Sequence, residues 1–505
     1  LSALRSELSA IADQLKSQYG STLDLAGISA EPMREALTGY VRPALMLLLA
    51  ASGLLLLIGC ANVVNLRLAQ AAAREKELAI RSALGAERGR LVRQFFTEAL
   101  LLALISSGLG IMTAAWAVRA LLQTAPKTLP RAEDVSMNFV VLLFSVGITL
   151  FVAIGLGVFS ALRASANASN ALNESSQRYA GSLRGRRLGR LLVASQLATT
   201  LALLAGAGLL GRSLLRVLSI DPGFRTERIV TMDLELANAL DQAAKVSRAQ
   251  FLTEFMARLR EIPGVEEVGG TSALPLATGT SSDGSYAMLN PQQISLHTQD
   301  LISRSAKESL ESQPALMKEI SDFFDVIFRD QTNTGEADYA VASEGYFKAL
   351  RIPLMRGRLF DDWDSFGSPH VAIISNSLAK EKWPKGDALG HTIEFGNMDG
   401  DLRLLTVVGV VGDVRERSVE APPRPTIYVN YRQRPQSTTH FTIILQTGGD
   451  IHSVTSAARE ILHGLDPNVP PNFSTFPQIF SAAFETRRFS LTLAAIFGGA
   501  ALLLA

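Results

Sequence analysis

The residue types that most often do chemistry are scattered along this 505-residue chain at spacings that argue against most reactions. Of the six histidines, His297, His370, His391, His440, His452 and His463, none stands at metal-ligand spacing to another. Cys60 is the single cysteine and lies in an apolar run, which excludes an intrachain disulfide and a CxxC metal site. No GxSxG elbow and no GxxxxGK[ST] loop occurs, so the chain carries neither a strained nucleophile turn nor a phosphate cradle of its own. Asp361 and Asp362 sit beside Trp363 with no third partner visible in the sequence, and they read as a solvated loop. What remains is electrostatic chemistry, concentrated between Arg74 and Glu98. Glu77 and Arg81 stand four apart, the order that supports a helix through an ion pair on one face. Leu78, Ile80 and Leu84 add apolar contacts, Gly85 permits a bend, and Arg88, Arg90 and Arg93 form a second basic turn. This pattern suits docking against a partner surface rather than making or breaking bonds; the plainer reading is a solvated helix that orients its neighbours.

The elements that would hold this stretch are long apolar runs on either side of it. Residues about 43–66 are too long and too uniformly apolar for a surface helix, and about 95–122 form a second span. Ser106, Gly110 and Ala114 give that second span a small-residue stripe, of the kind that lets helices approach closely. A third span is expected at about 138–162 and a fourth at 190–213. Between these two, residues 163–189 have the Ser/Ala/Asn-rich composition of a flexible linker ending in basic residues. Gln196, Thr199 and Thr200 are polar inside the fourth span and read as interhelical hydrogen-bond partners. Asp and Glu are essentially absent from the spans, which disfavours an ion-driven relay.

Charge then sets the sides. The 67–94 connection holds Arg67, Arg74, Lys76, Arg81, Arg88, Arg90 and Arg93, and 163–190 holds Arg163, Arg178, Arg184, Arg186, Arg187 and Arg190. The 123–137 loop holds only Lys127 and Arg131. The positive-inside bias puts the two rich connections in the cytoplasm, and the polar region 214–488 outside together with residues 1–42. A formal net charge of +1 offers no basic field for nucleic acid.

The outer region reads as mixed α and β. Strands are expected at 228–236, 265–271, 371–375, 392–395, 404–414, 426–430 and 441–446, and helices at 250–261, 376–383 and 453–465. Residues 281–336 read as a polar excursion from the core, with a helical run near 315–328. Before residue 43 and before residue 489 the order is the same: helix, polar connector, apolar run. The chain therefore reads as the end of one repeat joined to the start of a second, an internal fragment of a longer membrane protein whose last apolar run, 489–505, is the start of a further span.

The segment EKELAIRSALGAERGRLVRQFFTEALLLAL, from Glu75 onward, resembles the connection between the second and third spans of FtsX/MacB-like ABC transporter permeases. GYFKALRIPLMRGRLF (345–360), VAIISNSLAKEKWP (371–384) and VVGVVGDVRERSVEAPPRPTIYV (407–429) resemble the MacB-type periplasmic core domain. Two such units fused through a basic linker are most similar to the duplicated orphan permeases of acidobacteria. The resemblance implies a polytopic α-helical membrane protein plus an α+β MacB-type periplasmic core domain, in a bacterial inner membrane. Its implied parts are the end of a first periplasmic domain (1–42), an FtsX-like permease domain (43–162), the cytoplasmic linker (163–189), the first span of the second repeat (190–213) and a periplasmic core domain (214–488). By the same resemblance the coupling helix is about 74–93, and Glu77, Ala79, Arg81, Ala83, Gly85, Ala86 and Arg88 would meet a separate cytoplasmic ABC ATPase. ATP would bind that ATPase, and no cofactor or metal is expected on this chain. The other expected partners are the lipid bilayer and a periplasmic adaptor or substrate protein. The implied function is non-enzymatic: export or extraction of a hydrophobic or lipoprotein-like substrate by mechanotransmission. The alternative is a mechanotransmitter that regulates a periplasmic enzyme or signalling partner.

Overall fold

The computed structural model describes residues 2–19, 42–73, 88–123, 139–151, 154–155, 183–238, 241–277, 282–289, 300–302, 304, 314–328, 332–395, 399, 401–482 and 484–504, with residues 28, 30, 32, 33 and 39. Contacts divide the chain into two units, Leu1–Ala30 with Val217–Phe484, and Glu31–Arg216 with Glu485–Ala505. In chain order the helices are α1 (Ser2–Tyr19), α2 (Arg42–Ala73), α3 (Arg88–Gln123), α4 (Phe139–Phe151), α5 (Leu183–Leu218), α6 (Gln242–Arg260), α7 (Pro314–Phe328), α8 (Glu344–Ala349), α9 (Asn376–Lys382), α10 (Ile451–Leu465), α11 (Phe476–Ala482) and α12 (Glu485–Leu504). The strands are β1 (Ile229–Glu235), β2 (Val265–Thr271), β3 (Ser282–Leu289), β4 (Thr334–Ala342), β5 (Leu354–Gly357), β6 (Val371–Ser375), β7 (Thr392–Glu394), β8 (Leu405–Val411), β9 (Thr426–Asn430), β10 (His440–Thr447) and β11 (Asn472–Thr475).

In the helical unit, α2, α3, α5 and α12 each contain a stretch long and apolar enough to cross a membrane, and α4 is a shorter apolar helix. Helix α12 packs on α5 where small residues let it in: a Cβ on Gly498 would stand 3.3 Å from Leu204, and one on Gly211 3.7 Å from Leu491. The Gln196 side chain is buried and donates to the Leu504 carbonyl at 2.8 Å, an interhelical bond. Thr199 instead donates to the Ser195 carbonyl of its own helix, and the Thr200 hydroxyl is buried with no hydrogen-bond partner among the described residues. The stripe in α3 is exposed along its length, with nothing within 4 Å of a Cβ on Gly110, so it faces none of the described helices. The expected flexible linker also differs at its basic end: Leu183 to Arg190 are helical and continuous with the span. A run of leucines and arginines, both good helix formers, outweighs Gly185 and Gly189 there.

The strands of the outer unit form one eleven-stranded sheet in two parts, joined where β2 meets β4 at Thr271 and Ala342. Strands β11, β1, β10 and β2 lie side by side in that order, antiparallel throughout. Helix α6 joins β1 to β2 and α10 joins β10 to β11, so this half has a split β-α-β topology of the ferredoxin-like kind. Alternation decides its layers. Val230, Met232 and Leu234 of β1 point to one side, with Leu252, Phe255 and Leu259 of α6 and Val454, Ala458 and Leu462 of α10. Ile229 and Ile444 point to the other, with Phe224, Phe476 and Phe484. Asp241 and Asp450 cap the two helices, accepting from Ala244 N at 2.7 Å and Ser453 N at 2.9 Å.

The second half is a closed ring. Strands β4, β3, β7, β8, β6 and β9 pair in sequence, and β9 then returns to pair with β4, so no free edge remains within the ring. All six strands contribute alternate residues to one core cluster, among them Tyr286, Val341, Ile374, Ile393, Val407 and Val429. The opposite faces of β4, β6, β8 and β9 carry Ala342, Ile373, Val411 and Tyr428 to α8. Strand β5 adds to β8 from outside the ring.

This closure corrects the reading of 281–336 as an excursion. Strand β3 pairs with β4 and β7, and Tyr286 and Ala287 are fully buried. Its first half, with Ser282, Asp283 and Ser285 exposed, is polar and masks the strand signal, while Tyr286, Ala287 and Leu289 of its second half are buried on both faces. Helix α7 packs Leu316, Ile320 and Ile327 against Leu301, Leu402, Ala287 and Leu289.

Candidate functional site

The stretch expected to meet a partner joins α2 to α3. Glu77, Ala79, Arg81, Ala83, Gly85 and Ala86 lie outside the described residues; Arg88 is the first residue of α3. The helices on either side fix where that stretch is anchored. Helix α2 continues seven residues beyond its apolar stretch, from Leu66 to Ala73, and α3 begins twelve residues before its own, at Leu100. At 1.5 Å per residue these extensions amount to about 10 Å and about 18 Å of helix. Arg93 is exposed on the second of them.

In the outer unit the charged residues are organised as braces. Asp361 and Asp362 lie on a solvated loop, as the sequence suggested, Asp362 with its side chain 91% exposed, and both also take part in ion pairs. Arg358 reaches Asp361 at 3.1 Å and grips Asp364 with both guanidinium nitrogens at 2.8 Å, while Arg432 reaches Asp362 at 2.9 Å. Arg432 is distant in sequence, and for that reason the pairing was invisible. Trp363 remains 85% exposed on this fastened loop. A cavity of about 300 Å³ opens beside it, lined in part by Arg260, Glu267, Glu344, Lys348, Phe360 and Asp361. Among the described residues its lining has no serine, cysteine or histidine, and Glu344 is engaged by Arg260 at 3.2 Å.

A second brace is fully internal. Arg434 is 2% exposed and pairs with Asp399 at 3.3 Å and Asp401 at 3.0 Å, also donating to the Asp401 and Arg403 carbonyls at 2.6 Å. Tyr339 donates to Asp399 at 2.6 Å. Burial opposes ionisation of Asp401, but the hydrogen bonds from Arg403 and the charges of Arg434 and Arg403 outweigh it and hold the carboxyl below its usual range. His370 lies in the same cluster; burial, then the Arg434 and Arg403 charges, push it down to about 3, so it is neutral. Next to these, Gln433 accepts from Val371 N and donates to the Ser365 and Pro369 carbonyls. Sequence reasoning passed over Arg432, Gln433 and Arg434. Their one signal is a charged run directly after the apolar strand β9.

A third feature is Glu416, buried with no cation against it among the described contacts. Its carboxyl accepts from Tyr428 Oη at 3.1 Å, and burial raises it to about 8. On the next residue, Arg417 reaches Asp338 at 2.7 Å and Asp283 at 2.8 Å. Among the described residues no group of three His, Cys, Asp or Glu could hold a metal ion. What this arrangement can do is hold loops to a rigid ring and carry load between strands.

Residues 49–171 match a family model described as FtsX-like permease C-terminal, and residues 276–461 match one described as MacB-like periplasmic core domain. The macrolide export ATP-binding/permease protein MacB of Neisseria gonorrhoeae is 30% identical over 101 residues, covering 20% of this chain and 16% of that protein. MacB 1/2 of Paracoccus denitrificans is 31% identical over 104 residues, 21% of this chain and 15% of its own length. MacB of Campylobacter jejuni is 25% identical over 141 residues, 28% and 21% respectively. The chain thus spans less than a quarter of the length of these curated relatives. Among solved structures, the periplasmic region of MacB from Actinobacillus actinomycetemcomitans is 15% identical, covers 53% of this chain and 96% of its own, and has a TM-score of 0.31. The extracellular domain of the noncanonic ABC-type transporter YknZ from Gram-positive bacteria is 15% identical, covers 48% and 98%, and has a TM-score of 0.26. The family-model matches, with the apolar helices and the sheet, give the fold class: a polytopic α-helical membrane protein with an FtsX-like permease segment and an α+β domain of the MacB-like periplasmic core type.

Proposed function

We propose that this chain is part of the permease subunit of an ABC transporter of the MacB/FtsX type, set in a bacterial inner membrane with 214–488 in the periplasm. The observation that carries this reading is that one chain holds both matches, FtsX-like at 49–171 and MacB-like at 276–461, and joins them through α5. A separate cytoplasmic ATPase binds and hydrolyses ATP, and the 74–93 stretch receives it through Glu77, Ala79, Arg81, Ala83, Gly85, Ala86 and Arg88. The relatives named above combine ATP-binding and permease parts by their titles; here the ATP-binding part is assigned to the partner. Movement of the helices then reaches the outer domain, whose internal braces make it act as a stiff body on a hydrophobic or lipoprotein-like substrate, or on a periplasmic adaptor.

The test is reconstitution of the full-length protein with its ATPase. Arg81→Glu is expected to insert normally and to lower stimulated ATP hydrolysis at least tenfold, because a reversed charge at a docking face costs on the order of a few kcal/mol. Unchanged stimulation in that variant would overturn the docking role. A periplasmic hydrolase that co-purifies and is switched on by ATP, with no substrate moved, would instead favour a regulator.

A further inference from the structure

The basic residues before α5's span are expected on a flexible tether, and the structure puts them on a helix instead. Arg184, Arg186, Arg187 and Arg190 lie in the first two turns of α5, a helix with no Asp or Glu anywhere from Leu183 to Leu218. The next arginine is Arg212. The uncharged stretch from residue 191 to residue 211 is about 31 Å long at 1.5 Å per residue, which matches the roughly 30 Å hydrocarbon core. Arg190, exposed in this structure, therefore falls at the hydrocarbon boundary. Arg187 and Arg186 fall about 4–6 Å beyond it and Arg184 about 9 Å beyond, a span comparable to the headgroup layer of roughly 5–7 Å. At about 100° per residue, positions 184, 186, 187 and 190 fall within an arc of about 160°, with Leu192 opposite that arc and Leu188 at its edge beside position 184.

From this placement we propose that the four arginines form a collar that binds the phosphate headgroups of anionic phospholipids in the cytoplasmic leaflet. The occupant follows from depth and charge together. A rigid helix continuous with the span holds four positive groups at headgroup level, and no acidic residue on the same helix competes for them. The collar anchors the start of α5 axially, so that force on the helix is borne at a fixed membrane depth. It does not depend on any ATPase, and its failure would leave the permease assignment untouched.

The full-length protein, purified in mild detergent, is titrated with phosphatidylglycerol or with phosphatidylcholine of the same chains, and retained lipid is counted by native mass spectrometry. Preference for phosphatidylglycerol of tenfold or more is expected, weakening as salt rises. Arg184→Gln with Arg187→Gln leaves the other basic residues in place to hold orientation. This pair is expected to lose at least fivefold of the preference, about the contribution of one surface arginine. The corresponding Arg→Lys pair is expected to keep most of it. Equal retention of the two lipids by the wild type, or an undiminished preference in the Gln pair, would overturn the proposal. So would displacement of phosphatidylglycerol by millimolar inorganic phosphate, which would make the collar a site for free phosphate. If the Gln pair does not purify, an Arg→Lys pair that loses the preference overturns the proposal, and one that keeps it supports it.

Discussion

At the scale of single residues, the outer domain places two titratable groups where water cannot reach them, and their signs oppose. Glu416 has its carboxyl raised to about 8 from an ordinary 4.5, so the folded protein holds a proton that the unfolded chain has lost. Stability from this group therefore declines as pH rises from about 4.5 to about 8. His370, lowered from 6.5 to about 3, does the reverse: the unfolded chain takes a proton that the folded state refuses, and stability declines as pH falls from 6.5 towards 3. The two slopes offset each other between about 4.5 and 6.5. Glu416→Gln keeps the shape and removes the titration. It is expected to stabilise the outer domain on the order of 2 kcal/mol at pH 7 and to abolish the decline above pH 6.5. Thermal unfolding followed from pH 5 to pH 9 measures this; a variant with the wild-type slope would show that another group sets it. Neither environment could be read from the sequence, where Glu416 stands in the charged run DVRERSVE and looks exposed.

At the scale of elements, α8 can lie against β2 only because glycines face each other. A Cβ on Gly345 would stand 1.9 Å from the Val268 carbonyl oxygen, and one on Gly269 would stand 2.4 Å from Tyr346 N. The obstructing atoms are backbone, so neither side can give way by turning a side chain. Gly345→Ala is expected to destabilise the outer domain by about 1–3 kcal/mol or more, seen as a lowered Tm. Gly367→Ala, with nothing within 4 Å of its Cβ, should leave Tm unchanged and serves as the control. An unaltered Tm in Gly345→Ala would mean that α8 shifts freely, which its buried Tyr346 and Phe347 argue against. Most outer strands were legible as alternating apolar residues: β2, β6 and β9 fall at the expected bounds. Strand β3 was not, because its partners lie some 50 and 100 residues away and its own letters are half polar.

At the scale of the whole molecule, the charge pattern makes a single claim about sides. In a Cys60→Ala background, Ser82→Cys is expected to react with a membrane-impermeant thiol reagent only after cells are opened. Ser418→Cys, exposed in the outer domain, is expected to react in intact cells. External labelling at position 82 would remove the cytoplasmic docking role, whatever the family likeness. The same orientation underlies the lipid collar on α5.

The sequence by itself determined what depends on composition and short range: three apolar stretches of spanning length, at about 43–66, 95–122 and 190–213, the charge asymmetry between the connections, and the period of most strands and helices. Each is set by neighbours within a turn or two, or by the thickness of the bilayer. The tertiary structure alone decided the return of β9 to β4 that closes the ring, the Arg432 and Arg434 braces, and the burial of Glu416. These join residues 12 to 88 positions apart, and the desolvation around Arg434 and Glu416 exists only once the ring has closed around them.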